Sequence, residues 1–116
     1  MIDNFKGIFC LSHKIRVYIP STVDVDKKAD TGAIVDDTRA KMAGWFGGST
    51  TTDAVGAWLS EARGVVCERV VIVESFGTAE QMAEFIPSVL ELAGKIKNEL
   101  KQEAVSVEYD NKLYFI

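Results

Sequence analysis

Val70-Val71-Ile72-Val73 is the segment that most limits what this chain can become. Successive side chains of a strand point to opposite faces, so four apolar residues in a row leave no face for water. Such a strand lies inside a sheet, and both of its faces need cover. The segment belongs to a longer run, Val65 to Phe76, reached through the turn Glu61-Ala62-Arg63-Gly64. Before that turn comes Thr50 to Ser60, rich in β-branched residues and with Asp53 as its one charge. The two runs read as an antiparallel hairpin.

Elsewhere the period changes twice. Lys14 to Ile19 alternates, with Ile15, Val17 and Ile19 on one side and Arg16 and Tyr18 on the other, until Pro20 ends the strand. A polar connection runs from Ser21 to Asp30. Between Ala33 and Trp45, the residues Ile34, Thr38, Met42 and Trp45 recur at helical spacing. Asp30 or Thr31 is placed to cap that helix, and Gly44 or Gly47-Gly48 to stop it. Thr78-Ala79-Glu80-Gln81 has the capping-box form, followed by a stripe of Met82, Phe85 (or Ile86), Val89, Ala93, Ile96 and Leu100. Pro87 lies within the stripe and is expected to kink or split the helix. Ala104 to Tyr109 alternates again, and Asp110-Asn111 turns into Lys112 to Ile116.

Strand, helix, strand, strand, helix, strand predicts an α+β domain of the ferredoxin-like, split βαβ kind (β-α-β-β-α-β). Its antiparallel sheet would carry both helices on one face, place Lys14 to Ile19 and Val65 to Phe76 at the centre, and end in a short C-terminal hairpin. The domain spans 14–116, and 1–13 forms an N-terminal arm. With helices on one face only, the other face is expected to be covered by a second copy in a homodimer. Phe5, Ile8, Phe9 and Leu11 of the arm are the alternative cover.

A chain of 116 residues, 47% of them hydrophobic, makes one domain with a core that needs neither disulfide nor metal. Thirteen basic against seventeen acidic residues leave a net charge of −4, which argues against a nucleic-acid partner. No apolar stretch is long enough to span a membrane, and Asp3, Lys6, His13 and Lys14 interrupt any signal-peptide core, so a cytoplasmic location is expected. Cys10 and Cys67 sit among apolar neighbours and read as buried or half-buried free thiols. With His13 the only histidine, no metal set forms and no cofactor is implied.

Candidate binding residues fall in three places. Gly47 and Gly48 precede the hydroxyl-rich Ser49, Thr50, Thr51 and Thr52, a combination able to form an anion-binding nest. No lysine follows at P-loop spacing, and the glycines come after a helix. The plainer reading is a helix stop feeding a Thr-rich strand, with Trp45, Phe46 and Trp58 in the core. Glu68 and Glu74 share one strand face but stand about 20 Å apart, too far to act as a carboxylate pair. Glu74 is placed to meet Arg16 or Tyr18, as a structural ion pair or as the polar heart of a pocket. Ser21 and Thr22 lie at a strand end with no histidine nearby in sequence. Cys67 adjoins Glu68 and Arg69, but apolar neighbours work against a thiolate. The acidic groups Asp24 to Asp26 and Asp36-Asp37 match no calcium-loop spacing.

Pro20-Ser21-Thr22-Val23, Phe46-Gly47-Gly48-Ser49-Thr50, Gly56-Ala57-Trp58, Glu68, Gln102-Glu103-Ala104-Val105 and the closing Leu113-Tyr114-Phe115-Ile116 resemble a group of small uncharacterised proteins from bacterial genomes, plasmids and phages. The glycine-containing segments are also loosely similar to a wider domain of unknown function. The resemblance covers about Lys14 to Ile116 and implies no catalytic residue. By analogy with the small acidic proteins of mobile elements, it implies a non-catalytic binding or inhibitory accessory protein that engages a protein or small ligand. The alternative is a cofactorless enzyme of the dimeric ferredoxin-like type, its pocket between sheet and helices lined by Ser21, Thr50, Trp58, Glu68 and Glu74. That alternative needs a carboxylate and an aromatic wall in one cavity, and a solid core around Trp58 and Glu74 would remove it.

Overall fold

Alternation decides the first strand, β1 (His13–Pro20). Ile15, Val17 and Ile19 are fully buried, while Arg16 and Tyr18 stay half-buried on the opposite face. The computed structural model of the chain describes residues 4–23 and 27–116. After β1 come a two-strand ribbon, β2 (Thr22–Val23) with β3 (Lys27–Lys28), and helix α1 (Gly32–Phe46). The hairpin β4 (Thr50–Ser60) and β5 (Gly64–Gly77) follows, then α2 (Ala79–Glu99), β6 (Ser106–Tyr109) and β7 (Lys112–Phe115). The main sheet is antiparallel throughout, in the order β4-β5-β1-β6-β7.

The mixed α+β class, the antiparallel sheet and the two helices are as the sequence predicts. The C-terminal hairpin forms as expected, but the strand order differs: β1 alone is central, not β1 together with β5. Asp110 and Asn111, both at positive φ as a tight hairpin turn requires, fold β7 back onto β6 as a fifth strand. That addition moves the centre of the sheet to β1 alone, with β5 and β6 on its flanks. The ribbon is a further element that the polar composition of 21–30 concealed.

Both helices pack on the sheet face that carries Ile15, Val17, Ile19, Val73, Val105 and Val107. Helix α1 contributes Val35, Thr38, Met42 and Phe46, one position round from the expected stripe, so Ile34 and Trp45 sit at its margin. Its entry is held by Asp30 Oδ1, which accepts the Gly32 amide at 3.0 Å, while the Thr31 side chain makes no cap bond. Helix α2 opens on the full Thr78–Gln81 capping box and runs through Pro87 without splitting. Its buried stripe is Met82, Val89, Leu92, Ala93 and Ile96.

Strand β5 has 14 residues and β1 only 8. Their pairing stops at Pro20 opposite Val70, so residues 64–69 pair with β4 alone. The tip of the hairpin therefore projects beyond the helices. Val55, Leu59 and Val65 lie exposed there (67%, 80% and 69%). Cys67 is exposed on the same projection and Cys10 on the arm, which corrects the expectation of sheltered thiols. Of the arm residues expected as an alternative cover, Phe5, Ile8 and Phe9 are exposed and Leu11 is half-buried. Met1, Ile2 and Asp3 of the arm, and Asp24, Val25 and Asp26, lie outside the described residues.

Candidate functional site

Where β5 outruns β1, its unpaired edge faces the β2–β3 ribbon across a gap. The gap is an open cleft of about 790 Å³. Ser21, Thr22, Lys28 and Ala29 form the ribbon wall, and Val66, Cys67, Glu68 and Arg69 the strand wall. Trp58 and Ser60 of β4 close one side, with Ala62 and Arg63 at the hairpin turn.

Pro20 ends β1, and the next residues leave the sheet, which brings Thr22 back against β5. The Thr22 hydroxyl donates to Glu68 Oε2 at 2.9 Å. Behind Thr22, the Gln102 side-chain amide donates to the Thr22 carbonyl at 2.8 Å and approaches the Thr22 hydroxyl oxygen at 3.4 Å. Glu68 thus has one oxygen anchored and is half-buried at the cleft. Trp58 is 41% exposed and forms cleft wall, not core, which corrects the expectation for it. The physical reason is register: Trp58 pairs with Val66 beyond the end of β1 and, in step with Glu74 and Arg16, faces away from the helices. In a chain of net charge −4, Lys28, Arg63 and Arg69 line this cleft together with the carboxylate of Glu68.

The structure brings Ser21, Thr22, Trp58 and Glu68 together and leaves the other candidates elsewhere. Gly47, Gly48, Ser49 and Thr50 lie at the α1–β4 junction, eight residues along β4 from Trp58, or about 26 Å. Gly47 stops the helix in the left-handed region (φ 94°), its amide bonded to the Ala43 carbonyl at 2.8 Å. The Ser49 hydroxyl donates to the Arg39 carbonyl at 3.0 Å, and Ser75 donates to the Gly48 carbonyl at 2.6 Å. These are the bonds of a helix stop. Thr52 is exposed on β4 opposite Ile72.

Glu74 takes the ion-pair role. Arg16 Nε donates to Glu74 at 3.1 Å, and Arg16 also reaches Glu108 at 3.5 Å. The Tyr18 hydroxyl donates to the same Glu108 oxygen at 2.7 Å. Contact with the Tyr18 hydroxyl, then the two carboxylates, holds the Arg16 guanidinium above its ordinary range against a partial opposing effect of burial. Burial, followed by the bond to Glu108, pushes the Tyr18 hydroxyl up. This row crosses the open sheet face, away from the cleft. Among the described residues, Ile15, Val17, Val73 and Met42 are fully buried between sheet and helices, where the enzyme alternative supposed a pocket.

The sequence reading missed Lys28, Ser60, Ala62, Arg63, Val66 and Arg69 as cleft residues, and Gln102 behind them. A usable signal existed in length: a hairpin longer than the strand it joins must leave a free edge. Among the described residues no group of three histidine, cysteine, aspartate or glutamate side chains is placed to hold a metal ion, and no helix is long and apolar enough to cross a membrane.

No family model and no curated protein matches the chain. Two solved structures do. A phage SAM lyase in complex with S-methyl-5'-thioadenosine is 21% identical, with 94% of each chain covered and a TM-score of 0.66. A phage SAM lyase in its apo state is 20% identical, covers 96% of this chain and 93% of its own, and has a TM-score of 0.69. At this identity the shared property is the fold, over nearly the full length of both chains. These neighbours overturn the expectation of a non-catalytic binding or inhibitory accessory protein, because the proteins that share the fold are enzymes. That expectation rested on analogy with mobile-element proteins and on no chemistry of the residues. The enzyme alternative stands closer to the findings.

Proposed function

We propose that the chain is a lyase acting on S-adenosylmethionine, releasing S-methyl-5'-thioadenosine from the cleft between β5 and the β2–β3 ribbon. The observation that carries this reading is the cleft's composition: an anchored carboxylate, an exposed indole and a group of cations in one open space. The fold shared with a phage lyase that binds S-methyl-5'-thioadenosine supports it. The finer fold reading, a split βαβ core of ferredoxin-like type with β7 added at the edge, belongs to the same proposal. So does an origin in a phage or other mobile element, as in the family it resembles, with a cytoplasmic site of action.

The substrate matches the cleft group by group. S-adenosylmethionine carries a sulfonium, an ammonium and a carboxylate, whereas S-methyl-5'-thioadenosine has lost all three charges. Glu68, its Oε2 held by Thr22, presents Oε1 to the ammonium, and Lys28 and Arg69 suit the carboxylate. The Trp58 indole offers a stacking face for the adenine. As the bond from sulfur to the aminobutyrate carbon breaks, its electron pair returns to sulfur and the sulfonium becomes a neutral thioether. The aminobutyrate fragment balances its charge by closing its own carboxylate oxygen onto that carbon or by releasing a proton, so the reaction is redox-neutral. The positive charge on sulfur fades in the transition state, and the apolar Ala29, Ala62 and Val66 beside it favour that loss.

Calorimetric titration of wild type and Glu68→Gln tests the reading. Both proteins are expected to bind S-methyl-5'-thioadenosine alike, while Glu68→Gln binds S-adenosylmethionine about 10- to 100-fold more weakly, the usual worth of one charge-assisted bond. Wild type that binds neither compound contradicts the proposal.

A further inference from the structure

We infer that Gln102 is a positioning residue for the cleft carboxylate, acting on Glu68 through the Thr22 hydroxyl. The inference rests on the proposed role of Glu68 in binding the substrate ammonium, and it names the residue that sets which Glu68 oxygen faces the cleft.

The argument starts at the end of α2. The helix caps at Leu100, and the next residue, Lys101, takes the left-handed conformation (φ 50°) that glycine normally occupies. The Lys101 amide reaches the Asn98 carbonyl at 3.4 Å, and the Gln102 amide the Lys97 carbonyl at 3.0 Å. Together these bonds close a Schellman turn without its usual glycine. Keeping a lysine there stores backbone strain, and the turn points Gln102 back at the ribbon. The side chain then bridges 80 residues of sequence to Thr22, its amide nitrogen donating to the Thr22 carbonyl at 2.8 Å and shared at 3.4 Å between the Thr22 hydroxyl oxygen and the Leu100 carbonyl.

Direction follows from the donor inventory. A side-chain amide nitrogen only donates, so the Thr22 oxygen accepts from Gln102 and its single proton is left for Glu68. That proton lies on the 2.9 Å bond to Oε2. Each bond in the series polarises the next. Oε2 is thereby engaged and Oε1 is left for a ligand. Without Gln102, the Thr22 hydroxyl keeps its bond to Glu68, but residue 22 loses the side-chain anchor that fixes where that bond points. The ribbon alone does not supply this hold, since its two residue pairs make a very short ladder.

Two readouts on the full chain decide the matter. In the free protein, carbon-13 NMR of the Glu68 carboxyl signal is compared between wild type and Gln102→Glu. The new carboxylate accepts the Thr22 proton and draws it from Glu68, so the signal shifts. On a Thr22→Val background the same substitution is expected to leave it unmoved, because the hydroxyl is the link. A Glu68 signal that ignores Gln102→Glu, or that responds equally without the hydroxyl, overturns the inference.

The second readout is the Michaelis constant for S-adenosylmethionine against the affinity for S-methyl-5'-thioadenosine. Gln102→Glu and Thr22→Val are each expected to raise the former about tenfold and leave the latter unchanged, as loss of one aligned charge-assisted bond requires. The double variant should be no worse than Thr22→Val, and Thr22→Ser should stay near wild type. Equal losses for both ligands would mark general damage and overturn the inference. Should Gln102→Glu fail to fold, Gln102→Met, close in size and without the amide, is read in the same two ways, and a Glu68 signal and Michaelis constant equal to wild type overturn the inference. A wild type that makes no S-methyl-5'-thioadenosine defeats the lyase reading, while the NMR comparison still judges Gln102.

Discussion

Trp58 illustrates how one residue changes meaning with its place in the register. Its aromatic bulk predicts a core position, yet it pairs with Val66 past the end of β1 and stays 41% exposed. An indole held in that position on a strand loses little entropy when a flat base stacks on it. Trp58→Ala is expected to weaken binding of S-methyl-5'-thioadenosine about tenfold or more, and Trp58→Phe to recover most of the loss, because stacking on an aromatic side chain is worth roughly 1–3 kcal/mol per base. Calorimetry with the product checks this without turnover. Glu74 shows the converse. It shares a strand face with Glu68, but Arg16 claims it, and it has no part in the cleft.

At the scale of elements, the row Glu74, Arg16 and Glu108 ties β5, β1 and β6 together on the open face, with Tyr18 donating into Glu108. Folding raises the Tyr18 pKa above the ordinary tyrosine value of about 10, chiefly through burial. The folded state therefore favours the neutral phenol. Its contribution to stability is complete below about pH 10 and is lost as pH rises through the folded-state value. Chemical denaturation across that range should show a stability decline that is shallower in Tyr18→Phe. An equal slope in both proteins would assign the decline to other groups.

Element boundaries were largely legible in the sequence. Thr50 to Ser60, the capping box at Thr78 and the final hairpin at Asp110-Asn111 all carry local signals, in β-branched content, cap chemistry and turn residues. The cleft was half legible. Ser21, Thr22, Trp58 and Glu68 stood out by residue type, and the unequal strand lengths signalled a free edge, but not which residues would line it. Nor does sequence reveal that Gln102 and Thr22 meet, because that contact depends on a left-handed turn at a lysine. Gly47, Gly48, Ser49 and Thr50 misled for a related reason: a helix stop and an anion nest use the same residues and differ only in which carbonyls the hydroxyls find.

The whole molecule measures 52 × 31 × 20 Å with a radius of gyration of 15.7 Å. A compact chain of this length has a radius near 13 Å. The accessible surface of 7778 Å² exceeds the roughly 6,300 Å² typical of a monomer of this mass. Much of the excess belongs to the hairpin projection and the arm, where Val55, Leu59, Val65, Phe5 and Phe9 are exposed. Apolar surface of that extent is more often covered by another chain than left to water. Self-association is accordingly expected, and native mass spectrometry should find a multiple of the single-chain mass. A single-chain mass at micromolar concentration would leave the open sheet face and the projection to solvent.

Turnover tests the proposed activity most directly. Purified protein is incubated with S-adenosylmethionine, and the products are followed by liquid chromatography and mass spectrometry. A lyase predicts S-methyl-5'-thioadenosine accumulating with time and enzyme concentration, slowed in Glu68→Gln and faster than the spontaneous decay in buffer. No product above that background, or equal rates from wild type and Glu68→Gln, would contradict the assignment of the cleft.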